Sequence, residues 1–255
     1  MNIDDTIFQK YLNEAPLKDY VNAWIFHQIE EKQYLFDVPD KRLIPVVQVL
    51  YNCVEKAVLH FTPCKQKLWR ALFSDYNLRL QDYTIHRVVG CPAPYEAMVR
   101  QNTKRQEVIV FDLIRLSRYG IDRAQKIIQA MMTHECAHIL LHQDYVPSAA
   151  ETYKEKLLYM RFDEGLAHFL ATNKKLSQAE LACNKEKAKQ LFQQALHERE
   201  PKKQDILLRR ACSGPYWKKF ACITGMFEWA DLYAASGING MLSAYQRGWQ
   251  LFGSQ

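Results

Sequence analysis

The chain has 255 residues, 48% hydrophobic and 24% charged, with 9 Gly and 9 Pro, which is the composition of a folded globular protein and excludes a disordered, collagen-like or low-complexity assembly. The formal charge of +6 is carried by short basic clusters dispersed among acids (Lys65, Lys67 and Arg70; Lys202 and Lys203; Arg209 and Arg210); these read as solvated helix surface, so nucleic acid is disfavoured as a partner. No run of about 18 uncharged apolar residues occurs, and the opening MNIDDTIFQKYLNEAPLKDY carries acids where a secretory leader carries bases, so membrane spanning and secretion are disfavoured.

In chain order, residues 1 to about 83 read as helices, with apolar positions such as Leu43, Val46, Val47, Leu50, Val54 and Val58 at helical spacing and Pro39 and Pro63 as punctuation. From Thr84 to Leu113 the character changes: TIHRVVG, YEAMVR and EVIVFDL are short β-rich runs separated by GCPAP and QNTKRQ. They predict a small antiparallel sheet, with no other strand in the chain. Helical periodicity returns at Ile121. The fold class expected is therefore α+β and predominantly helical, with an N-terminal lobe over 1–118 (helices, then sheet) and a helical lobe over 119–255.

Ile121, Ala124, Ile128 and Met131 mark the apolar stripe of a helix that runs into His134-Glu135-Cys136-Ala137-His138. Four helical residues advance only about 40° in azimuth, so His134 and His138 present two imidazoles to one side, as a tetrahedral metal requires. This is an HExxH motif, with Glu135 beside the ligands as a general base.

Zinc takes a third protein ligand, and three residues compete for the place. His142 lies on the same straight helix, too far along it to join the other two on one ion. Asp144 has the spacing of an H-E-x-x-H-x-x-G-x-x-H ligand, but residue 141, where that motif needs a turn glycine, is leucine. Glu164 lies on a following helix, whose start is signalled by Ser148-Ala149-Ala150-Glu151 read as a capping box after Pro147. It shares a side with Leu157 and Met160, and a carboxylate on an apolar side needs a cation or metal. Gly165 beside it suggests close approach to the HExxH helix. The seven cysteines are scattered, with no C-x-x-C pair; they fit neither a disulfide framework nor a cysteine-rich zinc knot, and point to a reducing, cytoplasmic setting.

HECAH followed by Asp163-Glu164-Gly165-Leu166-Ala167-His168-Phe169 resembles the gluzincin class of zinc metallopeptidases, which pair HExxH with an E-G-L-A segment on the next helix. Pro215-Tyr216-Trp217-Lys218-Lys219-Phe220-Ala221 is similar to the P-Y-E-K-G-F-A segment of the aminopeptidase branch, with Lys219 in the place of its glycine, and Gly237-Ile238-Asn239-Gly240 is similar to the end of that branch's helix. The resemblance implies a zincin-like fold and a Zn2+ ion held by His134, His138 and Glu164. It further implies hydrolysis of peptide or protein substrates, with Glu135 as general base and Tyr216 as donor to the oxyanion, His142 and His168 standing behind it. HECAHILLH also resembles the regulatory metallopeptidases that cleave bacterial repressors. A third reading is a non-catalytic zinc-binding interaction protein on a zincin scaffold; the presence of Glu135 favours an enzyme, since a closed structural site needs no carboxylate beside its ligands. Substrate identity and oligomeric state are not legible in the sequence.

Overall fold

The computed structural model describes residues 1–27, 34–172 and 178–253. In chain order its principal elements are β1 (Asn2–Asp4), α1 (Thr6–Leu12), α2 (Ile44–Leu59), α3 (Gln66–Leu72), α4 (Tyr76–Leu80), β2 (Thr84–Val88), β3 (Ala97–Gln101), β4 (Glu107–Asp112), α5 (Leu113–Ser117), α6 (Ile121–Asp144), α7 (Tyr153–Ala171), α8 (Gln178–Leu196), α9 (Pro201–Ala211) and α10 (Phe220–Arg247). The fold is α+β and predominantly helical. No described helix is long and apolar enough to cross a membrane. Backbone contacts divide the chain into two compact units, one of Met1–Thr62 with Asn77–Ile139, the other of Pro63–Tyr76 with Leu140–Gln255.

The first unit is built on a four-stranded sheet of order β1-β2-β4-β3. The sheet is mixed, which corrects the antiparallel expectation. β3 and β4 form the antiparallel hairpin that QNTKRQ foretells, paired from Ala97↔Phe111 to Gln101↔Glu107. Its turn is held by the Asn102 side-chain oxygen, which accepts from the Lys104 and Gln106 amides at 2.9 and 3.0 Å. The segment GCPAP carries the chain from β2 past one strand position, so β4 fills the gap and runs parallel to β2, with Ile85↔Ile109 and Arg87↔Phe111 in register. β1, placed among helices by the sequence reading, pairs parallel to β2 through Asn2↔Thr84. Three residues cannot display an alternation, so this strand leaves no pattern to read.

β4 is buried along nearly its whole length, as befits a central strand, and Val108 and Val110 pack with Ile25, Phe26, Val88 and Cys91. α2 contributes Val47, Leu50, Val54 and Val58, the stripe its spacing predicts. Arg87, 1% exposed, is satisfied by Asp5, which accepts from Nε and Nη2 at 2.6 Å each, and by stacking on Tyr51 at 3.7 Å. A buried guanidinium tolerates desolvation only with such a bidentate partner. It joins β2, α2 and the N-terminal turn. Asp112, which ends β4, caps α5 by accepting from the Arg115 amide at 2.8 Å and also takes the Cys91 amide at 2.7 Å.

The second unit is organised by the packing of α7 on α10. The start of α7 is set by Thr152 and Glu155, whose side chains reciprocally cap each other's backbone. This corrects the expected box at Ser148-Glu151: Pro147 opens a short 3-10 turn over Pro147–Ala149, and Thr152 supplies the extended backbone an N-cap needs. Phe162 and Trp229 pack with Tyr245 and Phe252, and the Trp229 indole donates to the Phe162 carbonyl at 3.2 Å. Arg161, 5% exposed, lies between the Phe192 and Phe252 rings and pairs with Glu228 at 3.4 Å. α10 is interrupted at Gly237, whose φ of 59° and ψ of −153° no other residue adopts without strain. Lys65, read as solvated surface, instead donates its ammonium to the Thr172 carbonyl and sits over Phe169.

Candidate metal centre

α6 carries the HExxH residues. Its buried apolar positions are Ala124, Ile128 and Met132, while Ile121 at the helix start is 46% exposed; the stripe thus runs one residue away from the Met131 predicted. The turn that follows is almost wholly buried, Glu135 at 6% and His138 at 7% exposure included. His134 and His138 meet as their spacing requires, with Nε2 atoms 3.1 Å apart and rings nearly perpendicular. Two ligands about 2.0–2.1 Å from a tetrahedral ion stand about 3.3 Å from each other, so the pair has the separation that one shared ion imposes.

Two imidazoles at this separation are donors a divalent transition ion takes, so His134 and His138 fit a metal; which metal they hold is a separate matter. Within the second unit, Glu164, His168 and Cys222 form a group of metal-ligating side chains whose ligand atoms lie within 4.8 Å of one another.

Asp144, the rival third ligand, accepts from the Tyr245 hydroxyl through its carboxylate. Glu164, in the middle of α7, has a side chain 24% exposed, with Oε2 3.4 Å from His168 Nδ1. Its neighbour Gly165 does serve a close approach, but to α10: a Cβ there would lie 2.6 Å from the Gly225 Cα. The expected approach to the HExxH helix is corrected accordingly.

Asp163 was quoted in the sequence motif without a role. It is 6% exposed, and its Oδ2 lies 3.7 Å from His142 Nε2. A buried carboxylate beside an imidazole fixes which ring nitrogen carries the proton. Cys222, fully buried, was not singled out at all, because nothing in a scattered cysteine marks it before the helices are packed.

Tyr216 lies in a short 3-10 turn, Tyr216–Lys218, just before α10. Its ring sits 5.7 Å from that of His168 and its hydroxyl donates to Met226 Sδ at 3.3 Å. Burial, first of all, pushes its phenol above the usual tyrosine range, so it stays a proton donor at neutral pH. A cavity of about 480 Å³ opens beside Glu164, lined by Asp163, Tyr159, Met160, Pro147 and Cys212 among others. No family model, curated protein or solved structure matches this chain.

Proposed function

We propose that this protein is a metal-dependent peptide hydrolase of gluzincin type, with Zn2+ held by His134, His138 and Glu164. The observation that carries the reading is the His134 and His138 pair, 3.1 Å apart at Nε2; Glu164 joins it as third ligand on the resemblance of Glu164-Gly165-Leu166-Ala167 to the gluzincin segment. When bound, such an ion supplies Lewis acidity, lowering the pKa of a water and polarising a peptide carbonyl. The protein's own residues do the rest. Glu135, one residue after a ligand, accepts the proton of the attacking water and delivers it to the leaving amine. Asp163, whose carboxylate lies 3.7 Å from His142 Nε2, orients that imidazole.

A donor to the developing oxyanion completes the machinery. Tyr216 is assigned that role on the resemblance of its segment; its hydroxyl donates to the Met226 sulfur at 3.3 Å and has Thr172 beside it. Its ring packs by His168, on the same helix as Glu164.

The test is elemental analysis of the purified protein together with a peptide-hydrolysis assay, each on wild type and His134→Ala. The expected result is a metal equivalent and an activity that both depend on His134. Equal metal and equal hydrolysis in the two proteins overturns the proposal.

A further inference from the structure

The second unit holds a set of donors of which the hydrolytic reading uses Glu164 alone as a ligand. Glu164 and His168 stand one turn apart on α7, which repeats on this helix the geometry of the HExxH pair. His168 Nδ1 lies 3.0 Å from the Glu164 carbonyl oxygen, an acceptor that holds the proton on that nitrogen, and 3.4 Å from Glu164 Oε2, so Nε2 is the nitrogen left for an ion. Cys222 on α10 completes a group whose ligand atoms lie within 4.8 Å of one another. It reaches α7 because Gly165 and Gly225 let the two backbones touch. Cys212, the residue that ends α9, brings a second sulfur beside Cys222, whose own thiol donates to the carbonyl of Ala211, the residue before Cys212, at 3.7 Å.

We propose that Glu164, His168, Cys212 and Cys222 form a second metal site, which takes a zinc-class divalent cation through two thiolates, an imidazole and a carboxylate. The set has four donors of the types zinc prefers. Its interior is dry, with Cys222 fully buried and His168 only 8% exposed. Glu164 and Cys212 both line the cavity described above, which gives an ion a way in. A coordinated thiol is deprotonated outright by the ion's own charge, and binding releases those protons.

The test uses the full-length chain, stripped of metal by a chelator in the presence of a reductant and titrated with Co2+, whose bonds to thiolate sulfur give a charge-transfer absorption that imidazole and carboxylate ligands do not. Wild type should show this band. So should the His134→Ala/His138→Ala double variant, which leaves the second set intact. Cys222→Ser should lose it, with the cobalt bound falling by one equivalent. Should the buried Cys222→Ser fail to fold by circular dichroism, Cys212→Ser, at a partly exposed position, reads the same loss. No thiolate band in wild type, or a band that survives both cysteine variants, overturns the proposal and leaves two neighbouring thiols only. The two readings fail separately: a His134-dependent equivalent without a thiolate band removes the second site alone, while a thiolate band without a His134-dependent equivalent removes the hydrolytic reading alone.

Discussion

Gly165 of α7 and Gly225 of α10 touch backbone to backbone: a Cβ on the first would lie 2.6 Å from the Cα of the second, and one on the second would collide with the Arg161 carbonyl. Real Cβ atoms do not approach backbone so closely, and neither helix can yield without disturbing the other. This contact sets the distance between the helix that carries Glu164 and His168 and the helix that carries Cys222.

Gly165→Ala should therefore destabilise the protein by about 3 kcal/mol, the upper part of the overpacking range. The apparent melting temperature would fall by roughly 10 °C. Its thermal unfolding curve, followed by circular dichroism, checks this. A shift below about 2 °C would mean that the helices separate easily, contrary to the packing described.

Glu135→Gln should keep the fold and the metal while peptide hydrolysis falls by at least about a hundredfold, because an amide cannot accept the water's proton. Hydrolysis at the wild-type rate, or loss of metal, would contradict the role given to Glu135.

Glu164→Ala and Asp144→Ala separate the two candidate third ligands. The first should sharply weaken metal binding, and the second should leave it intact, since Asp144 is engaged by Tyr245. Elemental analysis after dialysis reads both, and the opposite pattern would move the ligand to Asp144.

Tyr216→Phe deletes one hydroxyl and leaves the ring packing in place. If that hydroxyl donates to the oxyanion, kcat should fall by roughly ten- to a thousandfold with KM and metal content little changed. Activity within about twofold of wild type would make Tyr216 a packing residue, with His142→Ala and His168→Ala the next variants to assay.

Asp112 gives a pH signature unconnected with any metal. Burial is the first cause that pushes its carboxyl up to about 6, against the Arg115 and Cys91 amides, which pull it down. The folded state then holds the proton more tightly than the unfolded chain, whose aspartates titrate near about 3.9. The sign follows: the stabilisation is present in full below about pH 4 and is lost as pH rises through about 6, by up to about 3 kcal/mol. Asp112→Asn has no proton to lose there. Urea unfolding at a series of pH values should show a fall in wild type that is absent from the variant, and parallel curves would reject the assignment.

The sequence by itself determined what depends on local repetition. The α2 stripe, the hairpin turn at Asn102 and the imidazole pair of α6 all follow from residues a few positions apart, where helix and turn geometry fix the outcome without help from the rest of the chain. The start of α7 shows how narrow that margin is: two S/T-x-x-E patterns lie four residues apart, at Ser148 and Thr152, and the proline before the first decides between them. Only the tertiary structure decided the parallel pairing of β1 and β2, because three residues carry no period and the strand exists through its partner. It alone also turned Gly165 toward Gly225, drew Cys222 to His168, and gave Asp163 its place beside His142. Those neighbours are remote in sequence or lack a pattern of their own, and what joins them is the packing of one helix against another.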